Sequence, residues 1–271
     1  MLPRGGDSGC DDQRVRGVQG VLLATTVTVL AWALVVPAGA SLAADAVVHE
    51  ERVVVGTSVQ GRVIVAVHRW AGDVGDGGET GDAAGRATIV IGSMHGDERA
   101  GSRVVGRLRS APLTAGTDLW LVPTMNPDGA AADHRTNASG VDLNRNFPRH
   151  WVAEGAGTAK WSGPAPASEP ETRAMMSLLR QAQPRTVLVF HQPLFGVDSY
   201  RAKSMTLVRR LARELGLPVR SFDCQGGCHG TLTDWHNARL PGRAVTVELG
   251  TTASDWRVRH TARGVLRVAA S

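Results

Sequence analysis

The sequence predicts a single-domain α/β fold with a mostly parallel central sheet, flanked by helices. Three observations carry this. The 271 residues, with 42% hydrophobic and 20% charged content, suffice to bury one sizeable core. Four short apolar runs bounded by turn residues, "ATIVIG", "DLWLVP", "RTVLVFH" and "RAVTVELG", suit buried strands. Helical patterns at residues 97–109, 169–182, 203–215 and 255–268 lie between or after them, and strands alternating with helices imply layers around a parallel sheet.

The elements follow in order. Arg14 and Arg16 precede an uncharged, largely apolar stretch over residues 17–36, and "PAGASLAADA" then offers small residues for signal peptidase. Residues 1–43 therefore read as a secretory signal. They are also about long enough for an N-terminal membrane anchor, since a span needs roughly 20 residues. Residues 44–271 are the folded domain, placed outside the cytoplasm in either case. "ERVVVGTSVQGRVIVAVHRW" reads as two β-branched runs joined in a hairpin, and "AGDVGDGGETGDAAGR" as an exposed linker. Ser168 and Glu171 have capping-box spacing around Pro170, marking a helix start. "PRHWVAEGAGTAKWSGPAPA" is a long loop of the kind that borders active sites.

The formal charge is +5, and the basic residues are almost all arginine, Lys160 and Lys203 being the only lysines. They are scattered rather than clustered, which favours a solvated basic surface over a nucleic-acid partner. Cys224 and Cys228 in "FDCQGGCHG" predict a disulfide in an exported chain. A second zinc site using these cysteines and His229 fits the spacing but lacks a fourth ligand.

His95 and Glu98 in "SMHGDERAG" are expected at a strand end and in the first turn of the following helix. Alone they are a weak signal, since a glutamate is at home near a helix N-terminus. His191 ends the run "TVLVF", and ligands of α/β sheets gather beyond the carboxyl ends of strands. His95, Glu98 and His191 make three ligands for one zinc ion with a position left open, the arrangement of a catalytic site. Glu248 ends another apolar run and suits a general base toward water at the metal, then an acid toward the leaving amine. Arg135 could face an oxyanion, and Arg145 beside Asn144 could grip a substrate carboxylate.

"HGDE", "NPDG", "GVDLNRNFP", "SGPAPASEPETRA", "FHQP" and "TVELG", in this order, resemble the zinc metallocarboxypeptidase (carboxypeptidase A-like) family. Within it the likeness is to the murein peptide amidase A group, which cuts the γ-D-glutamyl to meso-diaminopimelate bond. The resemblance implies a mixed, about eight-stranded sheet, and zinc on His95, Glu98 and His191 with Glu248 as base and acid. It also implies Arg135 on the oxyanion, Asn144 and Arg145 on the terminal carboxylate, and Asp142 orienting a zinc histidine. Asp234 stands where family members place a side-chain pocket residue and could accept a substrate amine, or else cap or turn the short "DWHN" segment.

Two features depart from the family. Digestive members carry a mobile tyrosine some twenty residues before the catalytic glutamate, whereas the one tyrosine here, Tyr200, lies elsewhere. The amidases of this group act on recycled peptides inside the cell, whereas this chain reads as exported.

The expectation is a monomeric, secreted or cell-envelope zinc amidase acting on cell-wall peptides, with no nucleic acid as partner. The alternatives are a carboxypeptidase of ordinary peptides and a noncatalytic cell-wall-binding module. His95, Glu98, His191 and Glu248 all being present argues against the module. No G-x-S-x-G or H-E-x-x-H occurs.

Overall fold

The computed structural model describes residues 47–72, 86–224 and 228–270. The expected signal or anchor and most of the glycine-rich linker lie outside them. Residues 44–271 form one compact unit.

Eight strands form one mixed sheet: β1 (Val48–Thr57), β2 (Val63–Ala71), β3 (Thr88–Ile91), β4 (Asp118–Val122), β5 (Thr186–His191), β6 (Phe195–Asp198), β7 (Val219–Arg220) and β8 (Arg243–Leu249). Their spatial order is β1-β2-β4-β3-β5-β8-β6-β7. The middle block β4-β3-β5-β8 is parallel, β1, β2 and β6 join it antiparallel to their inner neighbours, and β7 runs parallel to β6. The four parallel strands are the four apolar runs of the sequence. β1 and β2 are the expected hairpin.

Among the described residues six α-helices accompany the sheet: α1 (Ala100–Arg109), α2 (Pro127–Ala132), α3 (Pro170–Ala182), α4 (Met205–Leu215), α5 (Leu232–Arg239) and α6 (Asp255–Ala269). Side chains alternate across β5. Leu188 and Phe190 enter the core shared with α1, α4 and α6, whereas Val187 and Val189 enter the core shared with α3 and α5. Both faces are covered, which is why these strands are apolar throughout rather than alternating with polar residues.

Three local expectations are corrected. The first helix begins at Ala100 rather than at residue 97, so Glu98 sits in the turn before it. Ser168 and Glu171 do not form a capping box. Glu169 is the N-cap, and Glu171 is drawn away by the β1–β2 turn, where its Oε1 accepts the Val59 amide at 3.1 Å. The "DWHN" segment belongs to α5, two turns of helix whose N-cap Thr231 accepts from the Asp234 amide. β6, β7 and α2 are too short for their periodicity to have been legible.

Leu188 is fully buried in the central strand. Leu188→Ala is expected to cost about 2–5 kcal/mol of unfolding free energy, measured by denaturant titration.

Candidate active site

His95 follows β3 by way of Gly92, whose amide still donates to Val122 of β4. The chain then turns, with the Glu98 amide donating to the His95 carbonyl at 3.2 Å and the Ser93 hydroxyl donating to the Glu98 carbonyl at 2.6 Å. Gly96 is required within this turn, because a Cβ there would stand 2.0 Å from the Gly129 carbonyl carbon of α2. His191 is the last residue of β5 and pairs in register with Glu248 of β8. The two side chains therefore project from the same face at the carboxyl end of the sheet.

Nδ1 of His95 lies 2.8 Å from Glu98 Oε1, Nδ1 of His191 lies 2.9 Å from Glu98 Oε2, and the two Nδ1 atoms are 3.2 Å apart. All three residues are buried, and among the described residues theirs is the one cluster of histidine, cysteine or carboxylate groups with metal-binding geometry. Nε2 of His95 donates to Asp142 Oδ1 at 3.0 Å, which leaves Nδ1 as the ring atom that could hold a metal ion.

The donor set fits a zinc ion. Two ring nitrogens and the two oxygens of one carboxylate converge within hydrogen-bond distance of one another, a set of donor atoms that a single divalent cation can share. The imidazole and carboxylate ligands suit zinc, and the three leave a position open.

Asp142 is fully buried and ties His95 to Arg135 and to the turn bearing Asn144. Its Oδ1 accepts from His95 and from the Asn144 amide at 2.9 Å, and its Oδ2 accepts from Arg135 Nε at 3.1 Å and Nη2 at 2.9 Å. Arg135 also donates through Nη1 to Glu98 Oε1 at 3.2 Å.

These contacts set the ionisation of the site. Burial alone would raise the carboxyls of Asp142 and Glu98, but the neighbouring histidines, joined at Asp142 by Arg135, hold both well below the usual carboxylate range. Burial likewise opposes the charge on His95, yet Asp142 and Glu98 raise it to about 9 in the metal-free protein. For His191 burial prevails and lowers it, so it is neutral. Glu248 is pushed up to about 8, first by burial and then by the Glu98 carboxylate. Its Oε2 accepts the Leu194 amide at 3.1 Å.

Asn144 and Arg145 lie on the 3-10 turn Leu143–Arg145 that Asp142 caps. Asn144 Oδ1 accepts the Leu232 amide at 3.2 Å, which ties this turn to the start of α5. Arg145 is largely buried, with Nη2 3.7 Å from Cys224 Sγ. Cys224 and Cys228 form the expected disulfide, which removes them as ligands for a second zinc. Asp234 on α5 is met by Arg149, His150 and Arg201. His229 pairs with Glu154 at 2.6 Å, and His236 is fully buried within α5.

One contributor escaped the sequence reading. The Gln192 amide donates to Glu98 Oε2 at 3.1 Å, and its side chain joins the α1 amide of Ala100 to the carbonyls of Gly250 and Thr251 after β8. It braces a ligand and two strand ends at once. Its position directly after His191 in "FHQP" was the available signal.

The sequence profile of the zinc carboxypeptidase family matches residues 48–193. Murein peptide amidase A of Escherichia coli (strain K12) is 34% identical over 152 residues, covering 51% of this chain and 61% of the relative. The γ-D-glutamyl-L-diamino acid endopeptidase 1 of Lysinibacillus sphaericus is 32% identical over 182 residues, covering 53% and 45%. The chain thus spans less than two thirds of the length of either. The crystal structure of murein-tripeptide amidase from Escherichia coli O157 superposes with a TM-score of 0.65 at 23% identity, over 81% of this chain and 92% of that one, and so shares the fold.

Two measurements follow from the ionisation pattern. His95 is protonated at neutral pH without metal and must lose that proton to ligate, so zinc uptake is expected to release protons and to tighten as pH rises toward 9. Calorimetric titration in buffers of different ionisation enthalpy reads the number released. Asp142→Ala is expected to weaken zinc affinity by about 10–100-fold, measured by competition with a chelator.

Proposed function

Because this chain belongs to the zinc carboxypeptidase family, we propose that it is a zinc-dependent hydrolase cleaving an amide bond next to a free carboxylate, its target being the γ-D-glutamyl to meso-diaminopimelate bond of peptidoglycan peptides. The observation that carries the reading is the convergence of His95, Glu98 and His191, with Glu248 paired to His191 on the adjacent strand. The substrate class is supported by the names of the murein peptide amidase and γ-D-glutamyl-L-diamino acid endopeptidase relatives.

His95 Nδ1, the Glu98 carboxylate and His191 Nδ1 would hold one zinc ion per chain. When bound, the ion supplies Lewis-acid polarisation of the scissile carbonyl and lowers the pKa of water. Glu248 takes the proton of the attacking water and delivers it to the leaving amine, a task suited to a carboxylate whose buried position raises its proton affinity. Arg135, held in place by Asp142 and Glu98, stabilises the negative oxygen that develops on the carbonyl. Asn144 and Arg145 hold the substrate's terminal carboxylate, and Asp142 keeps His95 in the ligating tautomer. Asp234 contributes to the pocket for the leaving residue's side chain.

The protein acts outside the cytoplasm as a monomer, delivered by residues 1–43 as cleaved signal or retained anchor. The Cys224–Cys228 disulfide supports this placement, since such bonds persist in oxidising compartments.

Purified zinc-loaded protein is expected to cleave a γ-D-glutamyl-diaminopimelate tripeptide and to spare L-peptides ending in Arg or Phe. The reverse preference would make it a carboxypeptidase of ordinary peptides. Glu248→Gln should retain stoichiometric zinc and lose about 10²–10⁴-fold in kcat. Turnover at the wild-type rate in that variant would refute the assignment of the base.

A further inference from the structure

We propose that Arg149 and Arg201, aligned by Asp234, form a subsite for a carboxylate on the side chain of the leaving residue. This rests on the reading above that the chain is a peptidase releasing a diamino acid.

Asp234 is the centre of a cluster with an excess of positive charge. Its Oδ1 accepts from Arg149 Nε at 3.4 Å, and its Oδ2 lies 2.7 Å from His150 Nδ1 and 3.2 Å from Arg201 Nη1. One carboxylate facing two guanidinium groups leaves a net positive charge even with His150 neutral. Asp234 itself is the least accessible member, its side chain 11% exposed against 35% for Arg149 and 39% for Arg201.

A cationic amine entering here would have to displace arginines from a carboxylate they already neutralise, while meeting their like charge. A carboxylate would instead find donors in place. Arg149 Nη1 and Nη2 and Arg201 Nη2 have no acceptor among the described residues. The Arg201 guanidinium also rests 5.0 Å from the centre of the Tyr200 ring, which limits the orientations it can take.

The cluster is built from three segments, each leaving the site within a few residues. Arg149 and His150 lie four and five residues after Arg145, and the Arg149 carbonyl accepts the Gly230 amide. Asp234 lies two residues after Leu232, whose amide is bound by Asn144. Arg201 lies five residues after Gly196, the antiparallel partner of Glu248. Gly230 seals the first two segments together. It has a φ of +58°, and a Cβ there would stand 2.1 Å from the Arg145 carbonyl oxygen. The Arg149 segment thus continues from the turn bearing Asn144 and Arg145, the Asp234 segment is tied to that turn, and the Arg201 segment continues from the strand paired with Glu248.

The consequence is a specific reading of the leaving residue. Diaminopimelate carries both an amine and a carboxylate at the end of its side chain, and the cluster selects the carboxylate. Asp234 is then a positioning residue for two arginines rather than an acceptor for the amine.

The test uses three γ-D-glutamyl tripeptides that differ only in the last residue: meso-diaminopimelate, L-2-aminopimelate with the carboxylate alone, and L-lysine with the amine alone. Calorimetric binding to zinc-loaded Glu248→Gln protein and kcat/KM of the wild type are both read. The first two peptides are expected within about threefold of each other, and the lysine peptide at least tenfold weaker in both measurements. Arg149→Gln and Arg201→Gln should each remove most of that preference while leaving the lysine peptide within about threefold of its wild-type value, a selectivity that a merely structural role would not produce. A lysine peptide equal to or better than the aminopimelate peptide would overturn the proposal and leave the peptidase reading standing. Failure to bind or cleave any of the three, with ordinary L-peptides hydrolysed, would overturn both.

Discussion

Asp142 holds an ionised carboxylate at a position with no solvent exposure. An uncompensated buried charge costs several kcal/mol, so the carboxylate requires donors from all sides. It finds them in His95 Nε2, the guanidinium of Arg135 and the Asn144 amide. Each of those donors belongs to a different part of the site. The orientation of the His95 ring, the direction of Arg135 and the fold of the turn bearing Asn144 and Arg145 are therefore set together by one charge.

The sheet provides the rigid frame for this. Its parallel block delivers His191 and Glu248 side by side at the strand ends, and β3 delivers His95 through a short turn. The loop between Phe147 and Glu169 carries no regular structure, but it is pinned by the buried Asn146. That carboxamide donates to the carbonyls of Ser162 and Ala165 and to the Ser168 hydroxyl, and accepts the Glu169 amide. Rigid strands that end in or just before the His95, Glu98 and His191 cluster, with anchored loops beside it, are the division of labour that pre-organised sites require.

Much of this was legible from the chain. The four parallel strands were visible as apolar runs because both of their faces are covered, and the hairpin because its two runs flank a turn. His191 and Glu248 stood out because a polar residue terminated a buried run. Misreadings occurred where a local pattern met a stronger tertiary partner. Ser168 and Glu171 have the spacing of a capping box, but Glu171 serves the β1–β2 turn and the Asn137 carboxamide instead. Glu98 was placed in a helix, whereas Gln192 and His191 hold it in the preceding turn, an arrangement no helical spacing encodes.

Sequence by itself determined the fold class, the strands of the parallel block and the residue types at their ends, because periodicity and burial are written into adjacent positions. Only the tertiary structure decided which charges meet. Arg135 on Glu98, Gln192 bridging Glu98 and the end of β8, and Arg149 and Arg201 on Asp234 join segments far apart in the chain. Among so many scattered arginines, spacing alone cannot distinguish one held by a buried carboxylate from one in water. That distinction depends on distance and desolvation, which exist only once the chain has folded.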